Sequence, residues 1–128
     1  MAIAKIASVL LFVVGIINVL PLVGILSGEK LSQMYSVDLV GNDLVILMRH
    51  RALLFGIVGG FILYSVFVPV HRGAAMVMAA FSMIGYGLLL WQEGGYNASL
   101  YKVLLVDVVG VLCLLGAASL KYLVGPNT

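Results

Sequence analysis

Charge is what this sequence has least of. Only 9% of its 128 residues are Asp, Glu, Lys or Arg, seven of them basic and five acidic. A water-soluble domain carries roughly 25% charged residues, so the chain lacks the polar material to cover a water-facing surface. The basic residues are scattered, which excludes the clustered footprint of a nucleic-acid-binding protein. Cysteine is nearly absent. Cys113 stands alone in an apolar run, so neither a disulfide framework nor a thiolate cage can form within one chain, and it reads as a small core or lipid-facing residue. Signatures of chemistry are missing too. There is no CxxC, HExxH or HxGH, no phosphate-binding GxxxxGK[ST], and no GxGxxG followed by an acidic residue. No serine has a His–acid pair nearby, so the chain reads as a non-enzyme that needs no cofactor.

What the sequence has instead is apolar length: 63% of its residues are hydrophobic. A helix needs about 20 mostly apolar residues to cross the hydrocarbon of a bilayer. Four stretches qualify, at residues 6–26, 44–68, 73–92 and 101–124. Backbone donors and acceptors in lipid must be satisfied within their own segment, which makes these runs helices, and their polarity does not alternate as barrel strands require. The first run follows a single Lys5 and exceeds a cleavable signal's apolar core of roughly 7–15 residues, so it is expected to be retained. The expected fold is an all-α integral membrane four-helix bundle, one domain over 1–128. Residues 27–43 are long enough for a loop with its own short element. Pro69-Val70-His71-Arg72 is a tight turn of solvated charges, and Gly94-Gly95 makes a short reversal. Pro21 is expected to kink or end the outer turn of the first helix.

Lys and Arg placement sets the expected orientation. Lys5, Arg72 and Lys121 fall on the side of the two termini, Lys30 and Lys102 on the other. Both termini are therefore expected in the cytoplasm. Tyr35, Trp91, Tyr96 and Tyr101 would then sit at the outer interface. His50 and His71 fall on opposite sides, so they cannot share a metal or a haem.

Ionisable residues inside a span are costly, and each is a candidate for function. At about 1.5 Å per residue, Arg49 lies roughly 8 Å and Asp107 roughly 9 Å inside the outer end of its span, with Asn18 and Tyr86 at similar depth. A turn of about 100° per residue puts Arg49 on one face with Ala52, Gly56 and Gly60, a small-residue packing face. Ser82, Tyr86 and Glu93 share a face on the third span. Arg51 falls opposite Arg49, beside Phe55, Val58 and Ile62, where it would snorkel to lipid phosphate. His50 lies between them. The expected site is an outward-opening pocket of Arg49, His50, Arg51, Asp107, Tyr86, Asn18 and Glu93, with Arg49 as anion anchor and Asp107 as its counter-ion. The plainer alternative is a structural Arg49–Asp107 ion pair that locks the second helix to the fourth.

Leu47-Met48-Arg49-His50-Arg51-Ala52 before a Gly-rich second span, and Gly95-Tyr96-Asn97 before the Asp107-bearing fourth, carry a likeness to known proteins. Over nearly its whole length the chain resembles small bacterial inner-membrane proteins loosely similar to the DoxX-like four-helix superfamily. The resemblance implies a membrane bundle in a bacterial inner membrane and brings no reaction with it. Three functions compete. One is a module binding a lipid, isoprenoid or quinone-like molecule. The second is an assembly subunit of a larger membrane complex, using small-residue faces; a homo-oligomer is a separate expectation, since four short helices bury little surface, and a clean one would argue against the assembly role. The third is a small proton-coupled transporter, which the shallow depth of Asp107 disfavours because transporter sites tend towards the midplane.

Overall fold

The computed structural model describes residues 2–124; Met1 and 125–128, the ends of the expected domain, lie outside the described residues. The first helix, α1, runs Ala2–Val19 and continues as a 3-10 stretch, Leu20–Leu26. Pro21 lies at the start of that stretch, where its missing N–H and fixed φ end the regular α-helical ladder. A short helix, α2, follows at Gly28–Tyr35. Ser27 caps it by accepting from the Lys30 N–H at 3.1 Å, and Ser36 closes it in the left-handed conformation, φ 54°. Three long helices complete the chain: α3 (Asn42–Phe67), α4 (Arg72–Glu93) and α5 (Ala98–Ser119), the last ending in a π-helical turn, Leu120–Val124.

Among the described residues, four helical stretches are long and apolar enough to cross a membrane: Ala2–Leu26, Asn42–Phe67, Pro69–Glu93 and Ala98–Leu123. Large apolar side chains cover the outside, Phe81 at 78% exposed among them, as a lipid solvent permits and water does not. The protein is a multi-pass membrane protein. The long helices alternate in direction, α1 packing on α3 and α5, and α4 on the same two. α1 and α4 therefore face each other across the diagonal.

Lipid tails give little drive for apolar side chains to leave them, so close backbone approach does much of the packing. The tightest approach is at Gly59, where an added Cβ would collide with the backbone of Val19. Gly56 meets the Leu22 side chain, whereas Gly60 has nothing within 4 Å. The small-residue seam thus runs through Gly56 and Gly59, not Gly56 and Gly60, since it faces α1 and the 3-10 stretch rather than the bundle centre. In the half of the bundle nearest the termini, Leu11, Val14, Ile62, Ala79, Met83 and Leu114 form a continuous buried core.

The turn after α3 is more than a set of solvated charges. Pro69 has no N–H to give the Ser65 carbonyl four residues back. Arg72 supplies the missing donor: its Nε donates to Ser65 O at 3.2 Å, and Nη2 donates to Val66 O at 2.6 Å and to Ser8 Oγ at 2.9 Å. Arg72 is buried, ties α1, α3 and α4 together, and places a cation where a helix C-terminus favours one. The turn expected to hold Arg72 in water instead draws it inside because the proline leaves a carbonyl without a partner.

Candidate functional site

The half of the bundle away from the termini is hollow. A cavity of about 460 Å³ lies between all four long helices, with α2 across its end. From α5, Ser99, Lys102, Val103, Val106 and Asp107 line it, the i, i+3, i+4, i+7, i+8 positions of a single helix face. Facing them are Arg51 and Phe55 of α3 and Tyr86 of α4, with Asn18 of α1 and Tyr35 of α2 completing the wall. Arg51 and Asp107 sit at matching height, each the tenth residue of its helix.

Asn18 is buried and fully engaged. Its Nδ2 donates to Val14 O at 2.9 Å and its Oδ1 accepts from Ser82 Oγ at 2.7 Å, which links α1 to α4 across the diagonal. Tyr86 donates its hydroxyl to Leu100 O at 3.0 Å, leaving the phenolic oxygen free to accept. Arg51 is held from two sides. Its Cζ lies 4.7 Å from the Phe55 ring centroid and 5.2 Å from that of Tyr35, and Nη1 donates to the Tyr35 hydroxyl at 3.2 Å. Arg51 thereby reaches from the level of Asp107 outward to α2.

α2 is fastened in place by Asn97. The Asn97 side chain caps α5 by accepting from Leu100 N at 2.9 Å, and its Nδ2 donates to Tyr35 O at 2.9 Å and Ser36 O at 3.0 Å. The Ser36 and Ser99 hydroxyls meet at 2.6 Å. Tyr35, expected at the lipid interface, is buried under this clasp.

Of the seven residues expected at the site, Arg51, Asp107, Tyr86 and Asn18 meet at the cavity, and Arg49, His50 and Glu93 do not. Arg49 is neither the partner of Asp107 nor part of the cavity wall. Its Nε donates to Ile25 O at 2.7 Å, and together with His50 it borders a shallow outer groove beside Ile46 and Leu53. The physical reason is local. At the outer end of α3 the small-residue face meets the 3-10 stretch, which stops at Leu26 and leaves the Ile25 carbonyl without a helical donor. Arg49 fills that role, and the face opposite, carrying Arg51, Phe55 and Ile62, turns to the bundle interior. Glu93 is exposed at the end of α4, where Gly94 and Gly95 at φ 67° and 63° carry the chain away.

Lys102 and Ser99 were not anticipated. Their signal is the helical stripe they share with Asp107. For Arg51 the signal was Ser65, which continues the same face of α3 inward and is completely buried.

A second, apolar groove opens between α3 and α4, lined by Val58, Val77, Met78 and Phe81. Arg51 and Phe55 form walls of both the cavity and this groove. The fold and site thus define a multi-pass helical membrane protein with a cavity bearing two cations and a carboxylate at one end of its bundle and an apolar groove beside it. No protein-family model, curated protein or solved structure matches the chain.

Proposed function

We propose that the protein is a binding module for a membrane amphiphile, a lipid, isoprenoid or quinone-like molecule. Its head lies in the cavity at Arg51, Asp107 and Tyr86, and its tail lies in the groove between α3 and α4. The observation that carries this reading is the sharing of Arg51 and Phe55 by a chamber that also bears Lys102, Asp107 and Tyr86 and by an apolar channel. Such a junction matches a molecule with one polar and one apolar end. The groove runs from Arg51 past Val58 towards the bundle middle, as a tail entering hydrocarbon requires.

Lys5, Arg72 and Lys121 on the terminal side support placing both termini in the cytoplasm of a bacterial inner membrane, which puts the cavity in the outer leaflet. Native mass spectrometry of protein extracted in mild detergent tests the reading. The wild type is expected to carry co-purified amphiphile, Arg51→Gln to lose most of it, and Arg49→Gln to keep it, all three retaining wild-type helicity. A wild type that retains nothing, or an Arg51→Gln that retains as much, overturns the proposal.

A further inference from the structure

The charges around the cavity do not cancel. Arg51 and Lys102 line it as cations, and Asp107 is the one carboxylate on its wall. No other wall residue is acidic, so with side chains in their ordinary ionisation states the chamber holds a surplus of one positive charge. Lys102 is exposed near the start of α5, so the surplus lies on the open side of the cavity, where it draws an anion in.

The layout of the charges matters as much as their sum. Asp107 lies on α5 five residues deeper than Lys102, about 7.5 Å at 1.5 Å per residue. Arg51 is drawn outward from the level of Asp107 by its bond to Tyr35 on α2. Both cations therefore lie outward of the carboxylate, Lys102 exposed at the mouth and Arg51 held against α2. An anion seated at the mouth meets two cationic donors before it approaches the carboxylate.

Arg51 is also prepared for an anion. The Tyr35 and Phe55 rings hold its guanidinium plane, and of its five N–H donors one is committed to Tyr35. The planar fork that remains suits the paired oxygens of a phosphodiester or a carboxylate.

We propose that the amphiphile bound here carries a single negative charge on its head, a phosphodiester or carboxylate, held between Arg51 and Lys102. This rests on the amphiphile-binding reading above and narrows its ligand to one charge class.

The test offers delipidated protein an equimolar mixture of dioleoyl phosphatidylglycerol, dioleoyl phosphatidylcholine and dioleoylglycerol, with oleate in a parallel arm, and reads bound species by native mass spectrometry. Wild type is expected to prefer phosphatidylglycerol by about tenfold over phosphatidylcholine, whose choline cation cancels the charge of the same phosphodiester and is repelled by Arg51 and Lys102. Lys102→Gln is expected to bring the ratio near one while lipid is still retained. Lys30→Gln, on the outer side of α2, is expected to leave it unchanged. Oleate bound in place of phosphatidylglycerol supports the proposal and assigns the head as a carboxylate. Equal retention of the charged and zwitterionic lipids overturns the charge assignment and leaves the amphiphile reading standing, as does an equal effect of Lys30→Gln. Retention of no lipid at all overturns both.

Discussion

Asn97 donates its side-chain amide to the Tyr35 carbonyl, 2.9 Å away, and so fastens the end of α2 to the start of α5. The same side chain caps α5 through its oxygen. Its two ends do separable work, and two substitutions separate them. Asn97→Ala removes cap and clasp together and is expected to cost about 1–3 kcal/mol in a detergent melt. Asn97→Asp keeps the capping oxygen and loses the donor. Hydrogen exchange is then expected to rise across Gly28–Tyr35 while the first turn of α5 stays protected.

Arg72 and Pro69 form a second such test. Arg72→Met leaves the Ser65 and Val66 carbonyls and the Ser8 hydroxyl without their shared donor, a loss expected to exceed about 3 kcal/mol because the site is buried and charge-assisted. Pro69→Ala in that background restores a backbone N–H and lets Val68, now at φ -127° and ψ 84°, return to helical angles that bring this donor to Ser65 O. Part of the lost stability is expected to come back, and a double variant no more stable than Arg72→Met would break the link drawn between proline and arginine.

Gly59 and Gly60 are neighbours in sequence with opposite surroundings. Gly59→Ala forces α1 and α3 apart and is expected to destabilise by about 1–3 kcal/mol, the usual penalty of overpacking. Gly60→Ala places its methyl in open space and is expected to be neutral or slightly stabilising. Melting temperatures of the two single variants decide the point.

Arg49 and Arg51 are two positions apart and do unlike things. Arg49→Gln removes the donor to Ile25 O and is expected to lower stability by about 1–2 kcal/mol through loosening of the 3-10 stretch. Arg51→Gln gives up one hydrogen bond and two ring contacts around a solvent-accessible cavity, so its effect is expected mainly on ligand retention. Melts and retention measured on the same samples give each variant its own pattern.

The four spans were legible in the sequence because apolar length is a one-dimensional property that survives any arrangement of neighbours. The heights of Asn18, Tyr86 and Asp107 were legible for the same reason, since depth is counted along the chain. What periodicity could not supply was which neighbour each face would meet. The small-residue face bearing Arg49 does pack at Ala52 and Gly56, though not at Gly60, but the partner at that height is a 3-10 stretch with a bare carbonyl, a feature set by Pro21 in another helix. Arg51 belongs to the expected site, but its face, shared with Phe55 and Val58, reads from the sequence as pointing outward to lipid phosphate. In a bundle with a hollow end those side chains line an interior wall, and hollowness has no signature in a single helix. Arg72 shows the same limit: its burial follows from a carbonyl that Pro69 leaves bare, a relation between two residues that hydropathy does not register.

Beneath Asp107 the interior is plugged by Met83, Leu114 and Val14, with Ile62 and Ala79 completing the floor. A chamber with such a floor is a cul-de-sac. On the proposed reading, an amphiphile held there would depart into the leaflet it came from, and occupancy would follow the make-up of that one monolayer and be blind to the other.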